Sequence, residues 1–243
     1  MQIPVLVINL DRSRDRWEAL QARAAAAGFV PERVPAVDGN AIDPADWKDF
    51  DARRFRLWHG RYPIGGEYGC YMSHMRALDR VIEAGWPFAV ILEDDADFLA
   101  DLVPRIEALA RLDPAPGVVK LYNHRIKGFV AKAKTEAGDV VGRCIHGPLG
   151  SAMGYLVSLS SARTLRTALL PMFLPYDIAL ERGWAHGESV LTTKAPLLRG
   201  AKSASTISPA GYSQTKLPLL MRLPTALFRG QDYLRRAVYA YAG

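Results

Sequence analysis

The feature that most constrains the fold is an apolar run that ends in a dense group of acidic side chains. Residues 88–92 are all apolar, and carboxylates then occupy four of the five positions 93–97. An apolar run of this length predicts a buried parallel strand. Open α/β sheets bind ligands at the carboxyl ends of such strands. The pattern therefore predicts an α/β protein with an acidic ligand site at this strand end.

Carboxylates this close together must be protonated or neutralised by a cation. Two of them about 5 Å apart repel by roughly 3 kcal/mol at an effective dielectric constant near 20. In an extended segment Glu93 and Asp95 point to one side and Asp94 to the other, so this pair offers oxygens to Mn²⁺ or Mg²⁺. The alternative is an acidic loop that stays in water, with Asp94 or Asp97 capping the next helix. These residues alone favour neither interpretation.

The start of the chain predicts a strand–helix–strand unit. An apolar strand at residues 4–9 precedes a helix at 13–27 and a short strand at 32–37, which is typical of a parallel sheet. Further along, a hairpin is expected over 126–146 and a last strand at 196–198. Three basic side chains follow the first strand: Arg12, Arg14 and Arg16. They could contact an anion at the end of the strand, or they could belong to a solvated helix start.

A glycine-rich stretch at residues 65–74 leads into a second helix directly before the acidic strand. A glycine-rich helix entry presents free N–H groups to a phosphate or a carboxylate, although most such entries are only turns. Ser73 and His74 lie off the apolar stripe of this helix, and a helical histidine is more often a structural hydrogen-bonding group than a ligand. Residues 40–63 are polar and irregular, and we expect short helices or a covering loop there.

The composition of the chain limits which classes of binding partner and which cellular compartment we expect. The chain has 243 residues and a formal net charge of +6, which permits anionic partners without requiring them. Because no basic stripe is interleaved with aromatic residues, we expect no nucleic acid partner. The two cysteines form no C-x-x-C pattern, which argues against a disulfide framework or zinc site and fits a reducing compartment. No secretory signal pattern or 18-residue apolar run is present, so we expect a cytoplasmic protein, at most peripheral at the inner face of the membrane.

The composition changes from Lys216 onward, where the sequence becomes basic and rich in leucine. Four apolar residues share one helical face there: Leu227, Leu234, Val238 and Tyr241. Three arginines supply charge: Arg229, Arg235 and Arg236. A basic amphipathic segment of this kind can lie on an anionic bilayer. It can equally pack on the domain or on another subunit. We therefore predict a catalytic domain over residues 1–210 and a basic amphipathic appendage over 211–243.

Three blocks of the sequence resemble glycosyltransferase family 25, the lipooligosaccharide galactosyltransferase type that also includes the collagen galactosyltransferases. They are residues 7–12 (VINLDR), 66–74 (GEYGCYMSH) and 91–96 (ILEDDA), in the order of that family. Weaker matches lie at 36–39, 154–158, 175–177 and 205–207. The resemblance thus covers about residues 3–207.

The resemblance implies a GT-A-type nucleotide-diphosphate-sugar transferase fold, with a mostly parallel central sheet flanked by helices. It implies inverting transfer of a hexose, galactose or glucose, from a UDP-sugar to a hydroxyl of a cell-surface glycan or lipooligosaccharide. The acidic block becomes a DxD-like site, in which Glu93 and Asp95 hold Mn²⁺ or Mg²⁺ and Asp94 contacts ribose or orients a ligand. Asp177 falls at the position of a general base.

The same resemblance assigns further residues to the donor. Those around the nucleotide would be Asn9, Asp11, Arg12 and Asp38. Those lining the donor site would be Gly66, Glu67, Ser73 and His74. Asp97 adds an acid beyond the family's motif and could shift the metal ligation. Two other functions stay open: a phosphoryl-transfer or nuclease-type metal enzyme that uses the same acids, and a non-catalytic protein that has kept the fold.

Overall fold

The computed structural model of the protein describes residues 2–99, 101–200 and 212–242. Ser205, Thr206 and Ile207, which carried one of the weaker resemblances, lie outside these residues. The strands in the described part are β1 Val5–Asn9, β2 Glu32–Pro35, β3 Phe88–Glu93, β4 Ala96–Phe98, β5 Val118–Lys120, β6 Lys127–Lys134, β7 Val140–His146, β8 Gly154–Ser158, β9 Val190–Thr193 and β10 Leu198–Gly200. The α-helices are α1 Arg14–Ala26, α2 Ala52–Arg54, α3 Gly65–Ala84, α4 Leu102–Ala110, α5 Leu159–Ala168, α6 Tyr176–Leu180, α7 Gly183–His186 and α8 Leu223–Tyr241.

Within the described residues, eight of the strands form one sheet in the order β2-β1-β3-β8-β5-β9-β7-β6. Strand β1 pairs in parallel with both β2 and β3, and β5 pairs in parallel with β9. The other four pairings are antiparallel. The expected α/β fold, a large central sheet flanked by helices, is confirmed, and the sheet is mixed with its parallel part at β2-β1-β3.

Helices cover both faces of this parallel part, as its apolar strands require. Val5 and Val7 of β1 pack into a core that includes residues of α1 and α4. Leu6 and Ile8 point to the opposite face and pack into a second core with residues of α3 and α5. The period-2 alternation of side chains along β1 therefore divides the interior into two layers.

The acidic stretch begins at the carboxyl edge of the sheet. Strand β3 ends at Glu93, which lies in register with Ile8 of the parallel neighbour β1. Asp94 and Asp95 form a turn, and β4 then pairs antiparallel with β10. The next helix, α4, has Asp101 as its N-cap residue. The alternative in which Asp94 or Asp97 caps that helix is therefore wrong.

The C-terminal helix α8 packs on the domain by one of its faces. Its Phe228 ring stacks on Trp58 with centroids 5.0 Å apart, and Thr225 Oγ1 donates to the carbonyl of Leu57 over 2.7 Å. Trp58 and Leu57 belong to a π-helical turn, Phe55–His59, in the region that was expected to form short helices or a cover. Of the helices in the described ranges, none is long and apolar enough to cross a membrane.

Candidate active site

Two cavities meet at the acidic end of β3. The first has sixteen lining residues, eight of them predicted site residues: Arg12, Asp38, Gly66, Ser73, His74, Glu93, Asp94 and Asp95. The second is lined by Glu67, Cys70, Glu93, Asp95, His124, Ser151, Ala152, Met153, Pro175, Tyr176 and Asp177. Cys70, Glu93 and Asp95 line both cavities. The strand end that the sequence singled out is thus a shared wall between them.

Asp94 is held by a polar network from the start of the chain. Asn9 Nδ2 donates to Asp94 Oδ2 over 2.8 Å, and Arg16 Nη1 lies 2.9 Å from Asp94 Oδ1. Arg33 Nε in turn donates to Asn9 Oδ1 over 3.0 Å. Because both Asp94 oxygens already have protein partners, this carboxylate is less available to a cation than its neighbours.

Asp95 has the opposite environment. Its Oδ1 is buried without a hydrogen-bond partner among the described residues. Burial, and then repulsion by Glu93 and Asp94, raise the pKa of the Asp95 carboxyl to about 6. A buried acceptor left unpaired costs about 1–3 kcal/mol, and a bound cation would remove this cost. The residues present therefore fit a divalent cation held by Glu93 and Asp95.

Glu93 also lies beside two side chains of α3. Its Oε1 is 3.4 Å from His74 Nε2 and 3.7 Å from Cys70 Sγ. One ligand atom from each of these three residues falls within 4.8 Å of the others, which is close enough for one metal ion. Burial raises the pKa of the Cys70 thiol well above its usual value, so in this structure it is a neutral thiol. Cys70 carries no individual signal in the sequence, because no second cysteine lies at metal-ligand spacing.

His74 and Ser73 are engaged inside the protein although both line the first cavity. The His74 ring stacks on Tyr176 at a centroid distance of 4.0 Å, and its Nδ1 is 3.2 Å from Tyr155 Oη. Ser73 Oγ accepts from Val37 N–H over 2.8 Å. His74 therefore fixes one side of Glu93, while Ser73 ties the loop after β2 to α3.

Glycines bring that loop against the entry of α3. A Cβ on Gly39 would lie 2.0 Å from the carbonyl oxygen of Gly65 and 2.6 Å from the amide nitrogen of Gly69. Only glycine permits this close approach of two backbones. As a result, Asp38 and Gly66, which are distant in sequence, line one cavity beside the N-terminus of α3, an end that favours anions.

The remaining predicted residues have different positions. Arg12 forms an ion pair with Asp38, and both line the first cavity. The Asp11 side chain is 80% exposed, is paired with Arg33 and lines neither cavity. Asp97 Oδ1 lies 3.6 Å from Arg23 Nε and also lines neither. The roles assigned to Asp11 and Asp97 stay predictions.

Glu67 and Asp177 both line the second cavity, and neither lines the first. Glu67 is buried; its Oε2 accepts from Ile64 N–H over 3.3 Å, and its Oε1 has no hydrogen-bond partner in the described part of the chain. Burial raises the pKa of Glu67 to about 7, and Asp177 adds to this, against Ile64 N–H and Arg61. Asp177 lies in the first turn of α6, where its Oδ1 accepts from Ile178 N–H over 2.9 Å.

The arrangement, with neighbouring acids at the carboxyl edge of parallel strands, is the place where open α/β folds bind their ligands. The sequence model described as "Glycosyltransferase family 25 (LPS biosynthesis protein)" matches residues 2–180, most of the chain. The chain therefore belongs to glycosyltransferase family 25.

Individual relatives agree with this family. A Drosophila pseudoobscura "Glycosyltransferase 25 family member" is 28% identical over 214 residues, 80% of this chain and 34% of the relative. The Danio rerio "Procollagen galactosyltransferase 1" is 27% identical over 180 residues, 71% of this chain and 30% of the relative. A Bos taurus protein named "Probable inactive glycosyltransferase 25 family member 3" is 28% identical over 109 residues, 43% of this chain and 18% of the relative. The chain spans about a third, or less, of the length of these relatives.

Proposed function

We propose that the protein is an inverting hexosyltransferase that moves galactose or glucose from a UDP-sugar to a hydroxyl of a glycan or glycolipid acceptor, with a GT-A-type fold and a divalent cation. The observation that carries this proposal is the pair Glu93 and Asp95 at the wall between two cavities, with Asp95 Oδ1 buried and without a hydrogen-bond partner in the described ranges. We assign one cavity to the nucleotide diphosphate and the other to the acceptor.

Glu93 and Asp95 would hold Mn²⁺ or Mg²⁺, and the ion would supply Lewis-acid stabilisation of the negative charge that develops on the leaving diphosphate. On the nucleotide side, the N-terminus of α3 contributes free N–H groups beside Gly66, and Arg12 adds positive charge at the first cavity. Asp94, held by Asn9 and Arg16, keeps the turn in place. On the acceptor side, a carboxylate of the second cavity takes the proton of the attacking hydroxyl. Asp177 is the candidate that the family resemblance supplies.

The acceptor class is supported by the names of the family and its relatives. The family description mentions lipopolysaccharide biosynthesis, and the named galactosyltransferases act on procollagen. The family description supports the lipooligosaccharide acceptor and the relative's name supports a galactosyl donor, while the glucosyl donor and the cell-surface glycan rest on the sequence resemblance alone. The alternatives, phosphoryl transfer by the same acids and a non-catalytic protein, lead to different assay results.

We also propose that the outer face of α8 rests on an anionic membrane surface, which would make the protein peripheral at the cytoplasmic side. Its outer face is exposed and apolar: Leu223 is 65% exposed, Leu227 68%, Leu234 66%, Val238 71% and Tyr241 67%. The segment before it adds Leu219 and Leu220, exposed by 80% and 94%. Patches of this kind on a protein surface mark sites of association.

Charge favours a lipid surface over another apolar protein face. Lys216 and Arg235 are exposed near this stripe, whereas Arg229 donates to the carbonyl of His59 over 3.2 Å. Asp232, the acid of α8, is paired with Arg182 over 2.9 Å. Exposed cations next to an apolar helical face complement anionic headgroups and acyl chains together.

The test of the catalytic proposal compares Asp95→Asn with Asp97→Asn. UDP-galactose and UDP-glucose are supplied with Mn²⁺, and release of UDP is measured with and without glycan acceptors. We expect Asp95→Asn to lose at least about 100-fold in rate, because its carboxylate charge at the metal is removed. Asp97→Asn, which changes an acid that lines neither cavity, should keep most of the rate.

Thermal denaturation of both variants must show that the fold is retained. Full metal-dependent activity of Asp95→Asn would overturn the assignment of the metal site. Cleavage of phosphodiester substrates without turnover of any UDP-sugar would favour the phosphoryl-transfer alternative. Absence of both UDP binding and UDP-sugar turnover in the wild-type protein would favour the non-catalytic one.

A further inference from the structure

The second cavity has the size and lining of a polar ligand site. Its volume is about 330 Å³, at the lower end of the roughly 300–1,000 Å³ that ligand pockets occupy. Hydroxyl, imidazole and carboxyl groups line it together, from Ser151, His124 and Glu67 among others. Groups of this kind pair with the hydroxyls of a sugar, and the cavity borders the metal candidates Glu93 and Asp95.

Glu67 is the unexplained group in this cavity. Its side chain is only 4% exposed, and no described residue forms a hydrogen bond with its Oε1. His59 Nε2 lies 3.9 Å from this oxygen, and burial lowers the pKa of His59 to about 3, so that this ring is neutral. A buried acceptor of this kind is stabilised by a ligand that brings a donor to it.

Asp177 is less suited to the removal of a proton. Each carboxylate has one oxygen that accepts a backbone N–H, Asp177 Oδ1 from Ile178 and Glu67 Oε2 from Ile64, so this contact does not separate them. The Asp177 side chain is half-buried, whereas Glu67, which lines the same cavity, is buried and desolvated. Desolvation makes a carboxylate a stronger base, and a base works best when its pKa is close to the working pH.

We propose that Glu67, rather than Asp177, accepts the proton of the attacking hydroxyl in the second cavity, and that this cavity is the site of the acceptor. The O–H bond of the acceptor breaks as its oxygen bonds to the anomeric carbon. The proton passes to the Glu67 carboxylate, and the bond between the sugar and UDP breaks with its electron pair on the diphosphate. This inference rests on the proposed glycosyl transfer and specifies its base.

The groups that face Glu67 come from several elements, and they set the pH at which it loses its proton. Asp177 of α6 and burial favour the protonated form, whereas Arg61 and the Ile64 N–H favour the carboxylate. His59 and Cys70 are neutral neighbours because burial lowers the pKa of the first and raises that of the second. A transition near pH 7 in the rate is the expected signature.

The experiment measures UDP release from UDP-galactose or UDP-glucose with Mn²⁺ and water as the acceptor, between pH 5 and pH 9. Wild type, Glu67→Gln, Glu67→Asp and Asp177→Asn are compared. In the wild type the rate should rise tenfold per pH unit on the acidic side of the profile and level off near pH 7. We call this rising part of the profile the acidic limb. Glu67→Gln should lose about 100-fold or more together with this limb, while the thermal shift caused by UDP is kept.

The other two variants distinguish the role of Glu67 from that of Asp177. Glu67→Asp retains a carboxyl group and should keep the acidic limb at a reduced rate, even where Glu67→Gln is poorly folded. Asp177→Asn should keep the limb as well. Loss of the limb in Asp177→Asn, with the limb intact in Glu67→Gln, would overturn the role of Glu67 and leave glycosyl transfer in place. A wild-type protein that releases no UDP from any UDP-sugar would overturn the proposed function and this role together.

Discussion

At the level of single residues, Glu67 and His59 form a buried pair in which both groups are far from their usual titration ranges. Their closest oxygen and nitrogen are 3.9 Å apart, too far for a hydrogen bond. Burial is the main cause of both changes, since it raises the pKa of Glu67 to about 7 and lowers that of His59 to about 3. Desolvation disfavours whichever form is charged. The contributions of the two groups to the free energy of unfolding therefore change with pH in opposite directions.

Measuring the free energy of unfolding as a function of pH isolates the contribution of Glu67 to stability. Its pKa is 4.5 in a model peptide and about 7 in the fold, so the folded state binds more protons between these values. Stability from this group is present below pH 4.5 and is lost as pH rises toward 7. When the pH is raised from 5 to 8, the free energy of unfolding of Glu67→Gln should therefore rise by about 1–3 kcal/mol relative to that of wild type.

Urea denaturation of both proteins at the two pH values provides the comparison. His59 is present in both and acts in the reverse direction, since its contribution is lost as pH falls from 6.5 toward 3, so it cancels in the difference. An identical pH dependence in the two proteins would show that Glu67 has an ordinary pKa.

The sequence located some site residues and missed others for a definite reason. Glu93 and Asp95 follow a single apolar run, so local pattern alone placed them at a strand end. Which of the two cavities Glu67 lines depends on how α3 packs on β3, and no local sequence pattern predicts this packing. The same holds for Arg16, whose pairing with Asp94 spans 78 positions.

At the level of elements, long periodic segments were predictable. The acidic strand, the first βαβ unit and the hairpin of β6 with β7 are confirmed. Strand β9 was missed because its four residues, Val-Leu-Thr-Thr, are too short for a periodic signal. The antiparallel insertion of β8 between β3 and β5 was also missed, since pairing partners are set by tertiary packing.

Helix α8 is tied to the domain by a buried charge. Arg236 Nη2 lies 3.2 Å from Glu181 Oε1, and both side chains are at most 7% exposed. Lys120 Nζ lies 3.9 Å from the other oxygen of Glu181, and Leu149 N–H donates to it. Removal of one partner of a buried ion pair leaves an uncompensated charge and costs about 3–5 kcal/mol.

Arg236→Ala should accordingly destabilise the protein by about 3–5 kcal/mol in urea denaturation. Arg235→Ala is the matched control, because this neighbouring arginine is exposed and should cost no more than about 0.5 kcal/mol. Equal stability of the two variants would indicate that residues 211–243 behave as an appendage independent of the domain. A large difference would show that α8 is part of it.

At the level of the whole molecule, the two faces of α8 have different surroundings. The inner face carries Phe228, Asp232 and Arg236 and contacts the domain. The outer face exposes an apolar stripe beside Lys216 and Arg235. The composition predicted both features, the apolar face and the positive charge. It could not decide between a membrane and the domain as partner, because the composition does not show that one face of the helix packs on the domain while the other stays exposed.

Vesicle binding tests the proposed membrane contact of the intact protein. Co-sedimentation is measured with vesicles of phosphatidylcholine alone and with vesicles that contain phosphatidylglycerol. Wild type should bind the anionic vesicles preferentially, and added salt should weaken this binding because it screens the basic side chains. Burying one leucine gives roughly 1.5–3 kcal/mol. The double variant Leu227→Ser/Leu234→Ser should therefore lose at least about tenfold in affinity, even with partial insertion.

Gln231→Ser is the control, since Gln231 is exposed and polar on the same helix, and it should bind as wild type does. UDP-sugar turnover in solution should be unchanged in the double variant, because the stripe lies on the outer face of α8, away from the residues that line the two cavities at the end of β3. Equal vesicle binding by the double variant and wild type would contradict membrane contact through this face. Sedimentation velocity then decides the remaining case: a wild-type dimer that the double variant dissociates would mean that the stripe is covered by a second copy of the chain.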